Sequence, residues 1–312
     1  MKLGRLVLAF LILAGSGTAA AGYWLLDRDP LLSLPRPRHA LAAAQTAGHV
    51  ADGRMIRHVT LHSAELGDIG IALSLPDPLP DRKLPILVVL GGLGSGENNI
   101  RYVTDAGDNA VVGYDWPMPV HFYGAGRSLA QIPALYGQVV GIPAQVTSAI
   151  DWLAAQPWAD GRRVSLLSFS LGALVSPAVQ DVAEHDGRPI GWTILAYGGA
   201  PFGDLIAASP HVKPAWIRPL LGSAVDLLLG PLQPTRHLAH LSGDFLVLEG
   251  RGDSLIPPQA RARLRDAVPL PKTVVAFDGD HMGVGQDKMA LLRQIVAVSK
   301  AWLVGQGAVD PL

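Results

Sequence analysis

Short apolar runs separated by segments of helical spacing constrain this chain most. The runs LPILVVL (84–90), NAVVGY (109–114), RVSLL (163–167), WTILAY (192–197), DFLVLE (244–249) and TVVAF (273–277) are rich in Val, Ile and Leu. Runs that do not alternate apolar with polar residues suit strands covered on both faces, as in parallel sheets. Between them, Ile142, Val146, Ile150 and Leu153 keep helical spacing, as do LGALVSPAVQDVAEH (171–185) and a closing stretch from about Asp287 to Val304. The alternation predicts βαβ units: an α/β chain with a mostly parallel central sheet and helices on both faces. Ahead of these units, MIRHVTLHS and IGIALSLPD flank a polar turn with Gly67 and Asp68, which predicts an antiparallel pair.

The 312 residues accommodate one large domain with a targeting segment, or two small domains. The 49% apolar content is enough for a sizeable core. A net charge of -1 with no basic block argues against nucleic acid as a partner. The absence of cysteine excludes disulfides, thiolate catalysis and thiolate metal sites.

The N-terminal sequence has the order charged, apolar, small: Lys2 and Arg5, then Leu6 to Ala14, then Ala19-Ala20-Ala21 as a cleavage site. This is the layout of a secretory signal. No charge follows until Asp27, so Leu6 to Leu26 is also long enough to span a bilayer core of ~30 Å, with Tyr23 and Trp24 at its outer interface. Residues 1–26 are therefore expected to be a signal peptide or a membrane anchor, and the remainder to be exported, periplasmic or extracellular. Residues 27–53, with three prolines in PLLSLPRPRH and an Ala-rich stretch suited to a short helix, are expected to be a linker. Residues 54–312 then form the folded domain.

In a mostly parallel sheet, ligands bind at the carboxyl ends of the strands. Four strand ends carry the residues of interest. RVSLL is followed by Ser168-Phe169-Ser170-Leu171-Gly172 and then a helix. Small residues two before and two after Ser170 suit a tight strand-to-helix turn that projects a nucleophilic hydroxyl. A helix-capping serine is the competing role. LVVLGGLGSG ends an earlier strand with Gly91, Gly92, Leu93 and Gly94. It lacks the Gly-Lys-Ser/Thr ending of a phosphate loop and suits an oxyanion loop. Its Leu93 amide and the Leu171 amide are the two candidate donors. FLVLEGRGDSLIPP leaves Asp253 in a loop, as an acid or a turn cap, and TVVAFDGDHMGV leaves His281 before the last helix. Histidine is the side chain suited to moving protons near neutral pH.

The order Ser170, Asp253, His281 is that of nucleophile, acid and base in α/β-hydrolases. With VLGGLGSG, AIDWLAAQPWADGRRVSLLSFSLGA, VLEGRGDSLIPP and FDGDHMG, the chain resembles that superfamily from about Met55 to Leu303. It most resembles the bacterial dienelactone-hydrolase-like and prolyl-oligopeptidase-like branch. The resemblance implies the α/β-hydrolase fold and a serine hydrolase that needs no metal or cofactor. Ser170 would be its nucleophile, His281 its base and Asp253 the acid that orients the imidazole. Two positions depart from the family pattern: Ser168 replaces the commoner Gly, and Gly91 stands where many members have His.

The long connection of about 199–240 reads as a small cap. Within it Leu220, Leu221, Val225, Leu227 and Leu228 either line an acyl pocket or pack the cap onto the sheet. Gly92 and Tyr123, with His121 and Phe122, are further candidates for the pocket wall. The expected partner is a small ester or other acyl compound, with membrane association through the N-terminal segment. A thioesterase or peptidase-like acyl hydrolase and a non-catalytic binding protein on the same scaffold are the alternatives.

Overall fold

The computed structural model describes residues 28–38, 41–92, 96–101, 103, 105–117, 132–282, 284 and 288–311. The early strands are β1 (Ala42–Gln45), β2 (His49–Ala51), β3 (Arg54–Ser63) and β4 (Gly67–Pro76). Those of the βαβ region are β5 (Leu84–Leu90), β6 (Ala110–Tyr114), β7 (Ala159–Phe169), β8 (Trp192–Ala196), β9 (Asp244–Gly250) and β10 (Lys272–Phe277). β5 is buried at every position. Leu84, Ile86, Val88 and Leu90 enter one core, and Leu87 and Val89 enter the core on the opposite face. An all-apolar strand is what a sheet covered on both faces requires at its centre.

The sheet order is β1-β3-β4-β6-β5-β7-β8-β9-β10, with β2 also paired to β3. From β6 to β10 every pairing is parallel, and β1 to β4 add antiparallel strands at one edge.

The helices, in chain order, are α1 (Glu97–Ile100), α2 (Ile132–Ala154), α3 (Leu171–His185), α4 (Phe202–Ala208), α5 (Arg218–Leu228), α6 (Pro234–Leu238), α7 (Pro258–Ala267) and α8 (Lys288–Gly305). α2 and α3 cover one face of the sheet through residues such as Val146, Ile150, Leu153 and Val179. α8 covers the other through Leu291, Ile295 and Leu303. Among the described residues no helix is long and apolar enough to cross a membrane.

The segment expected as a linker is not a free tether. Ala42–Gln45 is a strand rather than a short helix, and both it and β2 run antiparallel to β3. A few alanines make only a marginal isolated helix, whereas the edge of β3 supplies ladder partners for their backbone groups. Further upstream, the Asp29 carboxylate accepts the Leu31 N–H at 2.9 Å and caps a 3-10 turn, Pro30–Ser33. Leu31 and Leu34 are buried in a cluster with Phe202 and Leu232.

The insertion between β8 and β9 contains α4, α5 and α6; one buried polar contact ties it to the body and others hold it together internally. His237 of α6 is fully buried, with Nδ1 2.8 Å from the Asp181 carboxylate of α3 and Nε2 2.8 Å from the Pro231 carbonyl. The Gln233 side chain accepts the Phe202 N–H at 3.2 Å and donates to Asp226 at 2.8 Å. Asp226 in turn accepts the Gly203 N–H at 2.7 Å. Gly222 and Gly203 permit the close approach of α5 to α4, since a Cβ on Gly222 would stand 2.6 Å from the Gly203 carbonyl oxygen.

Candidate active site

Ser170 follows the last residue of β7 directly and precedes the first of α3. Its φ of 49° and ψ of -109° lie where a side chain is strained. The surroundings hold it there. Its N–H donates to the Ala196 carbonyl at the end of β8 at 2.8 Å, and the Gly172 N–H donates to Gly91 at 3.1 Å. Gly172 is required, because a Cβ there would stand 2.0 Å from the Leu90 carbonyl oxygen. The Ser170 hydroxyl makes no capping bond to α3. It lies 2.9 Å from His281 Nε2.

His281 Nδ1 lies 2.9 Å from Asp253 Oδ2. The other oxygen, Oδ1, accepts the N–H groups of Leu255 and Ile256, each at 2.9 Å. His281 and Asp253 are both buried. With the carboxylate accepting from Nδ1–H, Nε2 is left as an acceptor for the Ser170 hydroxyl. The three residues expected from the strand ends therefore form one hydrogen-bonded series.

The loops bearing Asp253 and His281 are tied to each other. The Arg251 N–H donates to Phe277 at 2.9 Å and the Gly252 N–H to Gly279 at 3.0 Å. Asp280 Oδ1 accepts from the Ser254 N–H at 2.8 Å and the His281 N–H at 2.6 Å. Hydrogen bonds from Ser254, then from the His281 amide, hold the Asp280 carboxyl below its ordinary range.

The oxyanion candidates divide. Leu171 opens α3, where the first amides of a helix have no partner within the helix and point outward. Leu93 lies outside the described residues, as do His121, Phe122 and Tyr123. Gly92 is adjacent to Ser170: a Cβ there would stand 3.4 Å from the Ser170 Cβ. Its carbonyl accepts the Trp116 indole N–H at 2.9 Å. The Gly91 departure also has a physical counterpart. A Cβ at Gly91 would stand 2.1 Å from Asn99 Oδ1, so the Asn99 carboxamide fills the space a histidine would need.

The cap residues do not behave as one group. Val225 packs against the cluster of Leu31, Phe202 and Leu232, which is the packing role. Leu220, Leu221, Leu227 and Leu228 are exposed, neither packed onto the sheet nor enclosed. Among the described residues no group of three or more His, Asp or Glu is arranged to hold a metal.

Sequence reasoning missed Tyr197. It sits at the end of β8 with a φ of 58° and is fully buried. Its ring meets the His281 imidazole edge to face, with centroids 5.5 Å apart. Burial, then the nearby Asp253 charge, pushes its phenol up to about 12. Among the described residues the hydroxyl has no hydrogen-bond partner. The only sequence signal is its position, a further strand end followed by two glycines. Tyr197→Phe is expected to retain the wild-type Tm or exceed it, because it removes an unsatisfied buried hydroxyl. Tyr197→Ala is expected to cost about 3–5 kcal/mol and to lower kcat, because His281 loses the wall against which it stands. Urea unfolding and steady-state kinetics on the two variants check both halves.

No protein-family model and no curated protein matches the chain. Solved structures do. An acetyl xylan esterase from Paenibacillus sp. R4 is similar with a TM-score of 0.60 at 17% identity, over 89% of this chain and 92% of that one. Acetyl xylan esterase 1 from Thermoanaerobacterium sp. JW/SL YS485 gives 0.57 at 15% identity, over 89% and 92%. A carboxylesterase from Lactobacillus plantarum WCFS1 gives 0.57 at 17% identity, over 82% and 99%. With the mostly parallel sheet and its two helical layers, these likenesses establish that the chain has the α/β-hydrolase fold.

Proposed function

We propose that the protein is a serine hydrolase that cleaves carboxylic esters through an acyl-enzyme on Ser170. The observation that carries this reading is the Ser170 hydroxyl, held in left-handed backbone 2.9 Å from His281 Nε2, with Asp253 2.9 Å behind Nδ1. That the similar structures are esterases agrees with it. In the first half-reaction His281 takes the hydroxyl proton as the Ser170 oxygen attacks the ester carbonyl. The tetrahedral oxyanion is stabilised by the amides of Leu171 and Leu93. His281 then delivers its proton to the leaving alkoxide, and the C–O ester bond breaks. Water attacks the acyl-enzyme with His281 again as base, the acid departs, and the proton returns to Ser170. Asp253 stabilises the imidazolium in both halves. The N-terminal order of charge, apolar run and small residues supports an exported location, either free after cleavage or held by residues 6–26.

Labelling with a fluorophosphonate probe tests the proposal. The wild type is expected to take up one probe per chain, and Ser170→Ala none. Folded wild-type protein that takes up no probe would remove Ser170 as an activated nucleophile.

A further inference from the structure

α5 presents an apolar face to solvent. At 100° per residue, Gly222, Val225 and Leu229 point toward α4 and the body, which leaves Leu220, Ala224 and Leu227 on the opposite side. Leu220 is 71% exposed and Leu227 45%, and the preceding Trp216 is 77% exposed. No charged side chain interrupts this arc. Asp226 turns inward to the Gly203 amide, and Arg218 turns back to the Val212 carbonyl. The cap is not a lid that closes this face inward, because the buried His237–Asp181 contact ties it to α3. An exposed apolar patch of this kind marks a binding surface.

The point where the chain reaches the cap identifies the occupant. The Arg236 guanidinium donates to the Arg28 carbonyl, and Leu31 and Leu34 pack beside Val225 and Leu229. The apolar run Leu6–Leu26 ends two residues before Arg28. Two residues span at most ~7 Å. A bilayer that holds this run therefore lies against the cap. Trp216 is the residue type that seats at a membrane interface. The exposed Lys213 supplies positive charge toward lipid phosphates.

We propose that the outer face of α5, with Trp216, is a membrane-docking surface that lies on the same bilayer that retains the N-terminal apolar segment. The proposal rests on retention of that segment and not on the chemistry at Ser170.

The test uses the full chain in phosphatidylcholine–phosphatidylglycerol vesicles with brominated acyl chains, which quench tryptophan at the interface. Trp24→Phe removes the tryptophan of the N-terminal segment. In that background, brominated lipid is expected to quench part of the emission relative to plain lipid, and adding Trp216→Phe is expected to abolish the difference. Protein that floats with the vesicles yet shows no quenching in the Trp24→Phe background overturns the proposal. So does protein that does not float, because the segment is then not retained. A doubled mass in detergent with Trp216 shielded from acrylamide would assign the face to a second copy. Shielding in a monomer would assign it to another part of the same chain. Both results also overturn the proposal. Fluorophosphonate labelling of the same samples reports Ser170 independently.

Discussion

Asp253→Asn is expected to lower kcat on a short-chain ester by about 10⁴-fold while Tm stays near that of the wild type. The reason lies in the two carboxylate oxygens. Oδ1 accepts two backbone N–H groups, from Leu255 and Ile256. An asparagine at this position keeps its carbonyl oxygen there and so keeps the turn. Its NH2 group then faces His281 Nδ1, which must become an acceptor. The ring proton moves to Nε2, where it faces the Ser170 hydroxyl and blocks transfer from it. Geometry and stability survive while the wrong tautomer is installed. Initial rates with a p-nitrophenyl ester, alongside thermal unfolding, check the prediction. A variant as active as the wild type would remove Asp253 from the mechanism.

A second large effect, this time on stability, is expected from Gly172→Ala. A Cβ at this position would stand 2.0 Å from the Leu90 carbonyl oxygen and 2.6 Å from its carbon. These atoms belong to the end of β5, the strand buried between β6 and β7, and have nowhere to retreat. The clash forces apart the two arms of the turn that carries Ser170. A cost of about 3 kcal/mol, at the upper end of overpacking penalties, is expected as a lower urea midpoint at unchanged m. An unchanged midpoint would show that the strand-to-helix turn is more open than described.

Much of this arrangement is legible in the sequence because local signals and tertiary demands agree. The unbroken apolar run Leu84–Leu90 requires burial on both faces, and both faces are buried. Ser170, Asp253 and His281 each follow an apolar strand, so the parallel sheet carries them to one end. The failures occur where context overrides local preference. Ala42–Gln45 has the composition of a helix, yet the edge of β3 takes it as a strand. Tyr197 is inconspicuous because its role depends on a positive φ and on a histidine 84 positions away, given by the numbering itself. In α5 the leucines announce an apolar helix, but no spacing says that the small residue Gly222 rather than Leu220 faces the body.

The left-handed turns at the ends of β7 and β8 are cross-linked in sequence. The Ser170 amide bonds to Ala196, and the next residue, Tyr197, bonds through its own amide to Leu248 of β9. Each strand end is thereby indexed to its neighbour, like successive steps cut from one block. The position of Ser170 carries the tolerance of the sheet rather than that of a loop. Changes to the loops at this end of the sheet should therefore leave Ser170 in register, because the strands set its place.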